Sequence, residues 1–196
     1  MRYQRALAAT AAVLTLALAG CSSSESSAGG SGHNDADIAF ASDMIQHHAQ
    51  ALEMVDLTLG RELDPEVVTL TEEIRAAQAP EIEKMADWLE DWDQPVPETS
   101  RDHANAHAED HGGSAELDTD MPGMMSAEEM DALENAAGAE FQTMWLEMMI
   151  EHHEGAVEMA ETEVAEGESA KAVALAQEII DAQEAEISTM QDLLEG

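Results

Sequence analysis

Apolar residues recur every three or four positions through most of the chain, and nowhere do they alternate with a period of two. The first stripe runs Ile38, Ala41, Ile45, His48, Leu52, Val55 and Leu59, which marks one buried face of an amphipathic helix. Asn34 or Asp35 can cap its start, and Gly60 stops it. Asp64-Pro65 then supplies an N-cap and a proline at the first helical position. A second helix follows through Val67, Leu70, Ile74, Ala77, Met85, Trp88 and Leu89. Pro80 lies inside it and predicts a kink or a weakened turn. After a Pro-bounded stretch poor in apolar residues, Ser126-Ala127-Glu128-Glu129 reads as a capping box opening a short helix with Met130 and Leu133. Gly138 interrupts the pattern. The next long helix carries Leu146, Ile150, His153, Val157, Ala160 and Val164, and Gly167 ends it. The last runs from about Ser169 to Leu194 through Val173, Leu175, Ile179, Ile187 and Met190. Four helices of about 25 residues would each be roughly 38 Å long.

The two halves of this pattern are copies. Met44-Ile45-Gln46-His47-His48-Ala49-Gln50-Ala51-Leu52-Glu53-Met54 returns as Met149-Ile150-Glu151-His152-His153-Glu154-Gly155-Ala156-Val157-Glu158-Met159, an offset of 105 positions (152 − 47). The same offset carries Ile74, Gln78, Glu81, Ile82, Met85 and Leu89 onto Ile179, Gln183, Glu186, Ile187, Met190 and Leu194. One helical hairpin therefore occurs twice without gaps. The expected fold is all-α: a ferritin-like four-helix bundle made of two duplicated hairpins with one long crossover. An up-down-up-down bundle with a floppy central loop is the alternative. The expected division is a hairpin over residues 34–92, a linker over 93–125 and a hairpin over 126–196.

Composition changes the picture at the surface and at the start of the chain. Among 196 residues, 43 Asp and Glu face 7 Lys and Arg, a net charge of −36. Such a surface repels nucleic acid and anionic lipid headgroups, so nucleic-acid binding is excluded as a function class. Arg2 and Arg5 precede an apolar run, residues 6–18, too short for a comfortable membrane span. It ends in Leu18-Ala19-Gly20-Cys21, which looks like a lipobox. Residues 1–20 then read as a lipoprotein signal peptide, Cys21 as the lipidated residue, and residues 21–33, rich in Ser and Gly, as a flexible tether. Cys21 is the one cysteine of the chain, so no intrachain disulfide forms. The protein is expected on the outer face of the cytoplasmic membrane of a bacterium, held there by its lipid alone.

The segment from Met125-Ser126-Ala127-Glu128-Glu129-Met130 through Met148-Met149-Ile150-Glu151-His152-His153-Glu154-Gly155-Ala156 to Gln183-x-x-Glu186-Ile187-x-x-Met190 resembles the bacterial domain of unknown function 305 family. The resemblance covers about residues 34–196. It implies an exported protein with a ferritin-like helical bundle, and a link to copper binding and copper tolerance through some members of the family.

The residues themselves point the same way by a separate route. On a helix, positions three, four and seven apart share a face. Met44 thus neighbours His47 and His48, Met54 lies two turns from His47, and Met149, His152, His153 and Met159 repeat the arrangement. Thioether sulfur is soft and selects Cu(I), while imidazole accepts copper or zinc. These eight residues are the candidate metal ligands, with copper as Cu(I) the first choice and zinc or iron behind it. Pairing levels across each hairpin brings Gln78 and Glu81, and likewise Gln183 and Glu186, within a turn of the histidines, where they could orient the rings. The linker adds His103, His107, His111, Met121, Met124 and Met125 as a weak second metal site. Against these stands a metal-free structural or interaction bundle in which Met is core filler and the histidines are merely hydrogen-bonded. A ferritin-like di-metal oxidase is the enzyme alternative. It would use Glu-x-x-His, whereas this chain has Met44-x-x-His47 and Met149-x-x-His152, and no catalytic motif is found.

Overall fold

The structure, a computed structural model, describes residues 32–99 and 121–196. The leader, Cys21 and the linker histidines His103, His107 and His111 lie outside them. The described residues form five helices, in order α1 (Asp35–Asp56), α2 (Pro65–Asp91), α3 (Ala127–Asn135), α4 (Gly138–Glu166) and α5 (Ala170–Glu195). Among the described residues there is no strand.

The helix ends follow from local chemistry. Asn34 caps α1 by accepting from the Ala36 and Asp37 amides, and Asp37 Oδ2 accepts from the Asn34 amide at 2.6 Å, closing a capping box. Ser126 and Glu129 form the same device on α3. Pro65 opens α2, but Asp64 does not cap it with its side chain as expected. Its carboxylate accepts instead from Gln142 Nε2 at 2.7 Å, while the Asp64 amide donates to Gln142 Oε1 at 2.8 Å. Pro80 does not end or break α2, which continues for three further turns to Asp91. Leu59 leaves the predicted stripe: α1 stops at Asp56, and Leu59 is 71% exposed on the turn. Val164, its counterpart 105 positions later, is also exposed.

The direction of the helices fixes the topology. Trp145 Nε1 donates to the Met54 carbonyl at 2.9 Å. The His47 and His152 rings lie 3.8 Å apart at mid-helix. Asp37 Oδ1 accepts from the Ser169 amide at 2.8 Å at the far end. Numbers rise along α1 as they fall along α4, so the two are antiparallel. Within the first hairpin, Arg75 pairs with Asp56 and Glu81 with His48, so α2 is antiparallel to α1. Hence α2 and α4 are parallel, and the connection between them has to travel back along the bundle. That is the single-crossover arrangement, not up-down-up-down.

The duplication is visible in the contacts as well. Asp37 binds the amide at the start of α5, and Gln142 binds the amide at the start of α2. Positions 37 and 142, and 64 and 169, are each 105 apart. The first turn of each inner helix thus satisfies an orphan N–H of the other hairpin's outer helix. An approximate two-fold operation exchanges the hairpins, with His47 and His152 beside its axis.

The core is split rather than continuous. One apolar cluster contains Met54, Leu70, Ile74, Leu133, Phe141, Trp145 and Met149. The other contains Phe40, Met44, Met85, Leu89, Ala156, Ala160 and Ile179. The histidines occupy the layer between them.

Candidate metal centre

His47, His48, His152 and His153 are all fully buried. The sequence placed His48 and His153 in the apolar stripes of their helices, with His47 and His152 next to them in the chain. The structure buries both pairs, because α1 and α4 each pack against one another, against an outer helix and against the incoming crossover. Residues 121–125 lie along this inner pair. The Pro122 carbonyl is 3.1 Å from His47 Nε2, and Gln50 holds the backbone of Met125.

Three of the four rings are anchored through the same atom. His48 Nε2 lies 2.8 Å from Glu81 Oε2, and His153 Nε2 lies 2.7 Å from Glu186 Oε2. A carbonyl or carboxylate oxygen can only accept. Each of these Nε2 atoms therefore carries the proton, so in His47 the lone pair falls on Nδ1. The Nδ1 atoms of His47, His48 and His153 are buried and have no hydrogen-bond partner, nor has either nitrogen of His152. Five orphan imidazole nitrogens in one layer are unusual, since buried polar atoms are nearly always paired. Each such atom in a core costs roughly 1–3 kcal/mol.

Electrostatics keep the central pair neutral. Burial pushes His47 down to about 3, helped by the neighbouring His48 and His153 imidazoles and opposed by the Pro122 carbonyl. Burial also holds His152 well below the ordinary imidazole range, reinforced by His47, His153 and His48, with only a slight opposing pull from the His47 backbone. Neutral imidazoles with free lone pairs are the form a metal ion requires. Each neutral ring offers one lone pair, and buried imidazole lone pairs without partners fit a soft cation bound by nitrogen and sulfur. Among the described residues no three His, Asp, Glu or Cys side chains stand together as a ready cage.

The other candidate residues divide clearly. Met44 and Met149, one turn from the histidines, are fully buried on opposite sides of the layer, one in each apolar cluster. Met54 is packed in the cluster with Trp145, and Met159 is partly buried against the other. Seven positions along a helix is about 10 Å, so these two stand off from the imidazoles of their own helix. Glu81 and Glu186 bind the rings as anticipated. Gln78 and Gln183 do not: both are buried, with Gln78 Oε1 and Nε2 and Gln183 Oε1 unpartnered. Of the linker methionines, Met124 and Met125 are buried and Met121 is half-buried. The sequence reading missed Pro122 and Gln50 altogether. The signal available for Gln50 was its replacement by Gly155, a side chain lost at one of the four positions where the repeat differs.

The family model described as "Domain of unknown function (DUF305)" matches residues 37–194. The chain belongs to the DUF305 family. Among solved DUF305 structures, a putative secreted protein from Streptomyces coelicolor is 34% identical, with a TM-score of 0.68 over 82% of this chain and 91% of that one. CopM in its Cu(II)-bound form is 29% identical, with a TM-score of 0.63 over 81% of this chain and 95% of that one. CopM in its Cu(I)-bound form is 28% identical, with a TM-score of 0.62 over 81% and 95%. No curated protein matches the chain. CopM, whose fold is similar, has thus been solved with copper bound in both oxidation states.

Proposed function

We propose that the chain is an exported, lipid-anchored protein that binds copper as Cu(I) for sequestration or hand-off rather than turnover. The observation that carries the reading is the layer of four buried imidazoles with unpartnered nitrogens, three of them held in a fixed tautomer by Pro122, Glu81 and Glu186. A carboxylate or carbonyl on the remote ring nitrogen raises the basicity of the free one and fixes its direction, as is usual for metal-bound histidine. His47 and His152 would be the central nitrogen donors, with His48 and His153 beside them and Met44 and Met149 as thioether donors. The two hairpins would build one shared site instead of two. Bound copper would supply the positive charge that the buried lone pairs lack. The solved Cu(I)- and Cu(II)-bound forms of CopM support copper as the metal. Anchoring by a lipid on Cys21 rests on the lipobox.

A metal-free structural bundle is favoured by one feature, the His48–Glu81 and His153–Glu186 pairs, which satisfy one nitrogen on each ring. Anaerobic titration of the mature domain with Cu(I) against a chelator probe separates the readings. Copper binding predicts one tight equivalent in the layer, weakened more than about hundredfold in a His47→Ala, His152→Ala double variant. That exceeds what loss of an orienting partner alone gives. Equal affinity in the two proteins would leave the structural reading, and iron uptake with oxygen consumption would favour the oxidase.

A further inference from the structure

The repeat is broken where the crossover meets the histidine layer. Gln50 on α1 corresponds to Gly155 on α4, and both touch residues 122–125. Gln50 Nε2 donates to the Met125 carbonyl at 2.8 Å, and Gln50 Oε1 accepts from the Met125 amide at 2.7 Å, both buried. At Gly155 the crossover lies directly on the helix: a Cβ there would stand 2.1 Å from the Pro122 oxygen and 2.7 Å from Gly123 Cα. Gly123, at φ +72°, presses back, its missing Cβ falling 2.6 Å from the Glu151 oxygen and 2.9 Å from the His152 oxygen. The segment therefore crosses α4 beside His152 and meets α1 at His47, where the Pro122 carbonyl takes the Nε2 proton. Met124 and Met125, which follow in the strap, are buried, and His47 and His152 are fully buried.

We propose that residues 122–125 are the gate to the central imidazole pair. Reagents and ions reach His47 and His152 when this strap lifts from Gln50 and Gly155, and the lifting sets the rate of metal loading and release. The part of this inference about metal rates rests on the copper reading; the part about access does not. The strap is held by a few bonds to α1 and by backbone contact with α4. Separating α1 from α4 would instead break the clasps at both ends of the bundle and both apolar clusters. Local opening breaks fewer interactions than separation of packed helices, and lifting the strap breaks the Gln50 and His47 hydrogen bonds and its packing on α4 while leaving both helices paired. A rival path runs past Glu81 and Glu186, whose side chains are 15% and 17% exposed.

Gly155→Ala places a methyl where the Pro122 carbonyl sits. Alanine is also the better helix former, so the strap is displaced while α4 keeps its structure. Gln50→Ala removes the two hydrogen bonds to Met125 without touching α4. Two rates are measured on each variant and on the unaltered protein: acylation of His47 and His152 by diethyl pyrocarbonate in metal-free protein, mapped by peptide mass spectrometry, and Cu(I) release to a chelator under anaerobic stopped flow. Both variants should be acylated at least tenfold faster at His47 and His152, with helicity by circular dichroism unchanged and copper release accelerated by a similar factor. In the unaltered protein, the Met125 amide should exchange with solvent at least tenfold faster than the amides of Ala51 and Leu52. Acylation at the wild-type rate in a folded variant overturns the gate, as does Met125 exchange no faster than that of α1. Faster acylation in a protein that binds no Cu(I) would sink the copper reading and leave the gate standing. Tight Cu(I) binding with neither rate altered would do the reverse.

Discussion

The two hairpins share their chemistry at mid-helix and differ at their ends and along the face that the crossover covers. His47 with His48 and Glu81 on one side matches His152 with His153 and Glu186 on the other. Away from that level the copies diverge. Asp37 on α1 is matched by Gln142 on α4, Gln50 by Gly155, and Thr58 by Glu163. The residues that stay alike are those gathered at the pseudo-two-fold axis. Gln50 serves a contact with the crossover that Gly155 does not repeat, whereas Asp37 and Gln142 make the same contact with different side chains. A duplicated fold keeps the pairs whose job needs both halves and releases the rest.

The largest test of that division is His152→Leu, which replaces an imidazole having no hydrogen bond with an apolar side chain of similar size. Copper affinity should collapse, while denaturant unfolding shows a gain of about 1–3 kcal/mol from removing two orphan nitrogens. His47→Leu should gain less, because the Pro122 carbonyl loses its donor. A stability loss at His152 would mean the ring serves the fold. Next come Glu81→Gln and Glu186→Gln. Each should weaken Cu(I) binding by about 10- to 100-fold, as losses of an orienting partner do. If the axis is functional the two factors agree; a large effect at one position alone would confine the site to one hairpin.

Much of this was legible in the chain. The offset of 105 positions, the caps at Asn34 and Ser126 and the long connection were enough to expect the bundle, and the paired His with Glu81 and Glu186 marked the layer. The strap was not legible, because a backbone carbonyl has no sequence signature and Pro122-Gly123 reads as an ordinary turn. Nor was the end of α1, since the three–four spacing that includes Leu59 continues past the point where the helix stops. Glu163 was hidden by its surroundings: in a chain with 43 acidic residues, one carboxyl that turns inward looks like all the others.

That carboxyl offers a test of the divergent ends. Neither Glu163 oxygen receives a hydrogen bond. Burial, then the hydrogen bond to Asp37 and its negative charge, push Glu163 up to about 8. Asp37 is held below its usual range: burial opposes this, but Glu163 and the amides of Asn34, Ser169 and Glu168 outweigh it. Glu163 therefore stays protonated near neutrality and donates to Asp37. Because its folded value is raised, its contribution is complete below its ordinary value of 4.5 and is lost as the pH climbs through about 8. Glu163→Gln keeps a donor without the titration. Its denaturation midpoint should be flat over that window while the unaltered protein declines, leaving the variant ahead by about 1 kcal/mol at pH 9, the low end for a buried group left unsatisfied. The matching change at Thr58 should leave the pH profile as it is. The smallest effects belong to a pair of exposed positions: Leu59→Ser, on the turn after α1, and Val164→Ser, near the end of α4, should each alter unfolding free energy by less than about 0.5 kcal/mol.

Of the five unpartnered imidazole nitrogens, two are contributed by residues before the crossover and three by residues after it. A peptide carrying one hairpin could offer only two of the four rings. Any ion that recognises the complete set recognises the docked state alone, so occupancy by mass action would staple the halves and resist their parting.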